Sequence, residues 1–297
     1  MVKIHDFLMQ VIEFSALLVA TLILAGLVTV VVLYILDVTQ SQQAIRRNYP
    51  VIGRFRYLFE HLGVFFRQYF FAMDREELPF NRAQRGWIAR AAKDIDHTIA
   101  FGSTKPIHTP GDILFLNSAF PKLDEETQLS AKTPLCFGEG YAREAYETHS
   151  VFHISAMSYG ALSAPAIQAL SMGAAKAGIL LNTGEGGLAP FHLHGQCDLV
   201  FQIGTAKYGV RNTDGTLSDE KLQEVASHTS VKMFEIKLSQ GAKPGKGGIL
   251  PAEKVTDVIA STRGIPMGQD SLSPNRHTDI SSVDDLLNMI HRVRQVT

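Results

Sequence analysis

The sequence predicts an α/β protein tethered to a membrane by one N-terminal helix. Three observations carry that prediction. Residues 14–36 form an apolar run without a charged side chain, strand-like and helix-like segments alternate after residue 150, and polar clusters fall at the C-terminal ends of successive predicted strands.

The run Phe14–Leu36 is dominated by Leu, Val, Ala and Ile and is closed by Glu13 and Asp37. As a helix it would be about 35 Å long, enough for a hydrocarbon core of roughly 30 Å. A cleaved signal peptide would carry a shorter apolar region of about 7 to 15 residues and a small-residue cleavage site. The residues that follow, Asp37-Val-Thr-Gln40, offer no such site. Arg46, Arg47, Arg54, Arg56 and Arg67 come after the run, whereas Lys3 stands almost alone before it. By the positive-inside rule this predicts a single-pass protein of the inner (cytoplasmic) membrane, N-terminus outside and C-terminal part in the cytoplasm. Residues 37–72 read as a basic and aromatic juxtamembrane segment. Its rings would either enter the membrane interface, in contact with lipid, or pack onto the rest of the protein. Asn48-Tyr49-Pro50 predicts a helix end, because the residue before a proline is pushed out of the helical region.

The 28 basic and 29 acidic side chains nearly cancel, so no global field points to nucleic acid or to an acidic substrate. Cys136 and Cys197 are far apart and in no paired spacing, which argues against a disulfide scaffold and fits a reducing compartment.

Residues 73–149 read as an irregular lead-in segment, broken by Pro79, Pro106, Pro110, Pro121 and Pro134, with one strand-like run at Ile113–Leu116. From residue 150 to 297 the pattern is regular. Val151–Ser155 reads as a strand. Ala161–Ala177 reads as a helix, with Ser163 as N-cap, Pro165 just inside and Gly178 as the stop. Ile179–Leu181 is a short strand entering the glycine-rich turn Thr183–Gly187. Met233–Leu238 reads as a strand, and Ala252–Ser261 and Ser282–Val293 as helices. The alternation predicts a parallel sheet, and periodicity alone leaves a barrel and an open doubly wound sheet both standing. Ser155–Ser158, Asn182–Glu185 and Lys237–Gln240 each sit at a strand's C-terminal end, where the strands of a barrel bring active-site groups to one face.

The blocks Ala156-Met-Ser-Tyr-Gly160, Asn182-Thr-Gly-Glu-Gly-Gly187 and Lys237-Leu-Ser-Gln-Gly-Ala-Lys-Pro-Gly-Lys-Gly-Gly248 resemble, in order, the FMN-binding synthase domain of glutamate synthases. Gln202–Val210, Ser273-Pro274 and His277–Ile280 are similar to further blocks of that domain. The N-terminal part resembles the membrane-associated, glutaminase-lacking branch of the family. The resemblance implies the N-terminal half of a (β/α)8 TIM barrel over residues 150–297 and a role in glutamate biosynthesis. It implies reductive amination of 2-oxoglutarate, through 2-iminoglutarate, with external ammonia and hydride from FMN. It implies that Ala156, Met157 and Ser158 place main-chain groups against the flavin, and that an electron-donor protein or an NAD(P)H-linked reductase supplies electrons. Lys237 suits positive charge near the reduced ring, the competing reading being a surface lysine at a strand end, and Gln202 offers a neutral amide to its imide edge. Gln240 and Lys243 would hold the dicarboxylate, and Glu185 would bind ammonia or the iminium, or else the amides of its own turn.

Other motifs lead elsewhere. Gly241–Gly247 is one residue short of a phosphate loop and lacks its Ser or Thr. Ala156–Gly160 lacks the first glycine of a nucleophile elbow around Ser158. His192, His194 and Cys197 have no fourth ligand close by in sequence, so no metal site is expected. A full barrel takes about 250 residues and about 150 follow the first strand, so roughly four of eight strands are expected. The resemblance places the FMN phosphate site and the iron–sulfur cysteines beyond Thr297, so a cluster is expected only in a full-length form. The chain accordingly reads as cut in mid-barrel, leaving two alternatives: an oxidoreductase domain active once its second half is supplied, or a non-catalytic membrane-bound fragment or assembly partner.

Overall fold

The computed structural model describes residues 2–73, 75–95, 133–241 and 245–297, with residues 110, 111, 113, 116, 118–123 and 126. Two compact units divide the chain, residues 1–116 and 117–297, and each is described by itself.

In the first unit a single helix, α1 (Val2–Thr39), contains the apolar run. Its stretch Met9–Thr39 is, among the described residues, the one helix long and apolar enough to cross a membrane. A short helix, α2 (Ala44–Asn48), ends at Asn48, as Pro50 predicts. It is followed by α3 (Gly53–Phe66), a π-helical turn at Arg67–Phe71, and α4 (Arg82–Ala91). Gly53 lets α3 start directly against α2, since a Cβ there would lie 2.9 Å from the Ile45 carbonyl oxygen. The expected strand at Ile113–Leu116 falls partly outside the described residues.

The second unit begins with an antiparallel hairpin, β1 (Leu135–Phe137) and β2 (Tyr146–Thr148), inside the stretch expected to be irregular. Then comes α5 (Ala164–Ala177), with Pro165 in its first turn and Gly178 closing it in the left-handed conformation at φ 64°. The parallel sheet consists of β3 (Leu181–Asn182), β4 (Leu199–Ile203) and β5 (Val231–Ile236), adjacent in chain order. A single turn of helix, α6 (Pro190–Leu193), links β3 to β4, and α7 (Asp219–Ala226) links β4 to β5. A second antiparallel pair, β6 (Gly248–Leu250) with β7 (Ser271–Ser273), flanks α8 (Asp257–Arg263), and α9 (Val283–Val296) follows. No closed barrel is formed among the described residues.

Two expected elements differ. The strand at Val151–Ser155 contracts to one parallel bridge between Ile154 and Leu181. Ser150 satisfies both backbone groups of Phe152 with its own hydroxyl, a local alternative to pairing along a ladder. The helix expected over Ala252–Ser261 is split into a 3-10 turn at Ala252–Lys254 and α8, because the Thr256 hydroxyl accepts from the Ile259 amide and starts a new helix.

The core lies on one side of the sheet. Phe201 and Ile203 of β4 pack, fully buried, against Leu222 and Val225 of α7 and Met289 and Val293 of α9. Leu181, Leu199, Ala174 and Cys197 form a second cluster under α5.

Candidate active site

Side chains alternate along a strand, so the residues between the buried ones of β4 point the other way. Gln202 does so, and in the register of the sheet it stands beside Glu235 of β5. The Gln202 amide donates to the Glu235 carboxylate, and Asn182 of β3 donates to the same oxygen over 3.1 Å. The other end of the Asn182 amide accepts from the Gly184 N–H at 2.9 Å, which fixes the start of the glycine-rich turn. A polar row therefore crosses all three strands on the face opposite the core.

The turn beyond β3 presents Glu185 toward the end of β5. The Lys237 ammonium lies 3.2 Å from Glu185 Oε2 and donates to Gln240 Oε1 at 3.0 Å. The Gln240 amide nitrogen donates to Glu185 Oε2 and, at 3.2 Å, to the Thr205 hydroxyl. The Lys237 and Glu185 side chains retain 30% and 20% of their exposure, so the pair is open to a ligand, whereas Gln240 is buried. Gly204 makes room for the cluster: a Cβ there would lie 2.4 Å from that of Glu185.

Ala156, Met157 and Ser158 run beside this turn. The Met157 N–H donates to the Asn182 carbonyl at 3.0 Å, and its carbonyl accepts from His192 Nε2 at 2.9 Å. The N–H groups of Ala156 and Ser158 have no protein acceptor among the described residues. Gly184 lets the two loops touch, since a Cβ there would meet the Ser158 nitrogen at 2.7 Å. Lys243 lies outside the described residues. The structure thus gathers Glu185, Lys237 and Gln240 into one cluster, places Gln202 on the polar row, and sets Ala156–Ser158 against the turn that leads to both.

Several supporting residues escape a reading of the sequence. Glu235 anchors the polar row, Thr205 seats Gln240 and donates to the Pro274 carbonyl at 2.6 Å, and buried His277 holds the Lys237 carbonyl through Nε2 at 2.9 Å. Thr205 and His277 fall within blocks similar to the family domain, but their partners are distant in the chain, and Glu235 lies in none of those blocks. His192, weighed above as a ligand, has both ring nitrogens engaged, since Nδ1 accepts from the Ala189 N–H at 3.1 Å. Burial pushes the pKa values of His192 and His277 below the usual histidine range, against the pull of their backbone partners. Cys197 lies against the Ser171 hydroxyl, and both cysteines are free thiols.

A sequential parallel α/β unit whose charged and amide side chains meet beyond the carboxyl ends of its strands has the arrangement in which α/β proteins bind ligands. A family model described as the conserved region in glutamate synthase matches residues 117–297. The chain belongs to the glutamate synthase family. It is 35% identical over 301 residues to a glutamate synthase large subunit-like protein of Bacillus subtilis, an alignment covering 89% of this chain and 57% of that protein. It is 42% identical over 160 residues to an archaeal glutamate synthase [NADPH] of Archaeoglobus fulgidus, covering 54% of this chain and 28% of the relative. With an archaeal-type glutamate synthase [NADPH] of a Thermotoga species it shares 41% identity over 143 residues, 48% of this chain and 26% of the relative. The chain therefore spans little more than half the length of the first of these relatives and about a quarter of the others.

Proposed function

We propose that this chain contributes the N-terminal half of a glutamate synthase-type oxidoreductase barrel, over residues 150–297, held at the cytoplasmic membrane by residues 14–36 with its C-terminal part in the cytoplasm. The reaction is the reductive amination of 2-oxoglutarate: external ammonia condenses with the keto carbon to give 2-iminoglutarate and water, and hydride with a proton reduces the imine to glutamate. The observation that carries the proposal is the meeting of Glu185, Lys237 and Gln240 beyond the ends of β3 and β5 in a member of this family.

The residues present suit a flavin. Ala156 and Ser158 offer N–H groups with no acceptor among the described residues, Gln202 offers an amide, and Lys237 offers a partly exposed ammonium. When bound, FMN would supply the hydride that reduces the imine carbon. Lys237 would stabilise negative charge developing nearby, which a preorganised cation does best in a water-poor site. Glu185 would orient ammonia or the iminium through its carboxylate, and Lys243 would hold the dicarboxylate; Gln240, expected from the sequence to share that task, has its amide hydrogens on Glu185 and Thr205 and its oxygen on Lys237, so it would position those side chains instead. Electrons would come from a donor protein or an NAD(P)H-linked reductase.

The test is FMN binding by the purified chain, alone and mixed with the part of the Bacillus relative that it does not cover. Retained flavin with its visible absorbance, weakened in Lys237→Ala, supports the proposal. Absence of flavin under both conditions overturns it in favour of a non-catalytic membrane-bound partner.

A further inference from the structure

The helix α3 carries an apolar stripe left uncovered by the described residues of its own unit. Phe55, Leu58, Phe59, Leu62 and Phe66 recur at the three- and four-residue spacing that places them on one helical face, and all are exposed, Phe59 at 65%. Arg56, Glu60 and Arg67, the last at the start of the π-helical turn, line one flank of the stripe, with Arg56 bonded to Glu60 at 3.0 Å. Of the five arginines between Ala44 and Ala72, Arg54 is paired with Asp37 and Arg56 with Glu60, so Arg46, Arg47 and Arg67 make up the positive excess.

The position of α3 is fixed by a buried elbow. Asp37, in the last turns of α1 and 1% exposed, accepts from Arg54 Nη2 at 2.7 Å and Nε at 2.9 Å, and from the Val51 N–H at 2.9 Å. Arg54 lies in the first turn of α3, so α3 begins at the level where the apolar run ends. Arg46 stacks over the Tyr57 ring at 5.0 Å and ties α2 to the same corner.

We infer that α3 and its π-helical extension lie in the headgroup region of an anionic bilayer, rings toward the acyl chains and arginines toward lipid phosphate. The inference rests on the reading of α1 as a spanning helix and is independent of the flavin chemistry. Three points favour lipid over a protein partner. The stripe starts at the depth where the span closes, its flanks are strongly cationic, and an amphipathic helix rich in Phe with an arginine-bearing polar face suits an interface. Each arginine near an anionic leaflet adds to the attraction.

The test uses the full chain in lipid nanodiscs, with Trp87→Phe removing the native tryptophan. In that background Phe59→Trp provides an indole probe on α3, and Leu24→Trp provides one on α1. With lipid brominated high on the acyl chain, emission from the α3 probe is expected to shift to the blue and to fall by at least about half. With lipid brominated at the chain midpoint, the α1 probe is expected to be the more strongly quenched. An unquenched α3 probe beside a quenched α1 probe overturns the inference and points to α3 being covered by protein. An unquenched α1 probe removes the spanning helix and the inference with it. Discs of phosphatidylcholine with phosphatidylglycerol should favour insertion over phosphatidylcholine alone, and Arg56→Gln or Arg67→Gln should lower the inserted-to-free ratio by about fivefold each. Equal quenching in both lipids overturns the anionic part of the claim.

Discussion

The two faces of β4 and β5 divide the labour of the second unit. On one face Phe201, Ile203, Phe234 and Ile236 meet α7 and α9 in an apolar cluster. On the other, Gln202 and Glu235 stand in register and bond to each other and to Asn182. Adjacent residues of one strand thus serve opposite ends: one set holds the sheet to its helices, and the alternate set builds a polar surface that leads to Lys237. The difference teaches that stability and chemistry are separable here at single-residue spacing.

The largest effect that could break this division is on Phe201. Phe201→Ala should destabilise the unit by about 3–5 kcal/mol, through lost burial and the cavity left behind. The neighbouring Gln202→Ala should cost only about 1 kcal/mol, because Glu235 keeps its bond to Asn182 and is exposed to water. Urea denaturation measures both. Equal losses would mean that the polar row is structural and would undo the comparison.

Gly204→Ala stands between the two faces. The new methyl must push Glu185 or the β4 backbone aside, with a cost of about 1–3 kcal/mol. The displaced carboxylate should also lose Lys237 and Gln240, so the flavin binding proposed above should weaken beyond what the stability loss explains. If binding is untouched, the cluster tolerates movement and the site is looser than its distances suggest.

A smaller effect comes from pH. Burial holds His192 neutral, its pKa lowered from the ordinary value of 6.5, while in the unfolded chain it takes a proton near that value. The unfolded state then binds more protons as pH falls below about 6.5, so stability present at neutral pH declines toward the lower folded pKa. His277 contributes in the same direction. The urea midpoint should therefore fall on acidification, with a shallower slope in His192→Gln; an unchanged slope would remove His192 as a source.

How much of this was open to reading in the sequence depended on the range of the interactions. The apolar helix α1, the left-handed stop at Gly178 and the helix expected from Ser282 rest on neighbours in the chain and form there, whereas Ser163, expected as an N-cap, takes that position without a side-chain capping bond. The bridge at Ile154 and the break at Thr256 differ because one hydroxyl in each place diverts the local backbone. The convergence of strand ends could be anticipated from Lys237 and Glu185, 52 residues apart. Glu235 could not, because nothing near it in sequence announces partners on β3 and β4. The hairpin β1–β2 was hidden for the same reason: its strands have three residues each and its tie to the sheet, the Tyr146 hydroxyl on Asp198, spans 52 positions.

The smallest expected change in stability belongs to the residue with the largest expected role. Lys237→Met keeps the stem that packs at the end of β5 and removes only the ammonium. That ammonium is partly exposed, and such pairs contribute no more than about 1 kcal/mol. Its loss leaves Glu185 with the Gln240 amide and access to water, so no buried charge is orphaned and only the neutral Gln240 Oε1 loses a donor. The main chain at Lys237 stays where His277 holds it. A urea midpoint close to that of the parent, together with a fall of about 10²–10³ in the proposed glutamate formation when the chain is combined with the part of the Bacillus relative that it does not cover, would put Lys237 in the chemistry. The reverse outcome, a destabilised chain turning over at the parent rate, would make the Lys237–Glu185 pair a structural tie and move the site elsewhere along the polar face.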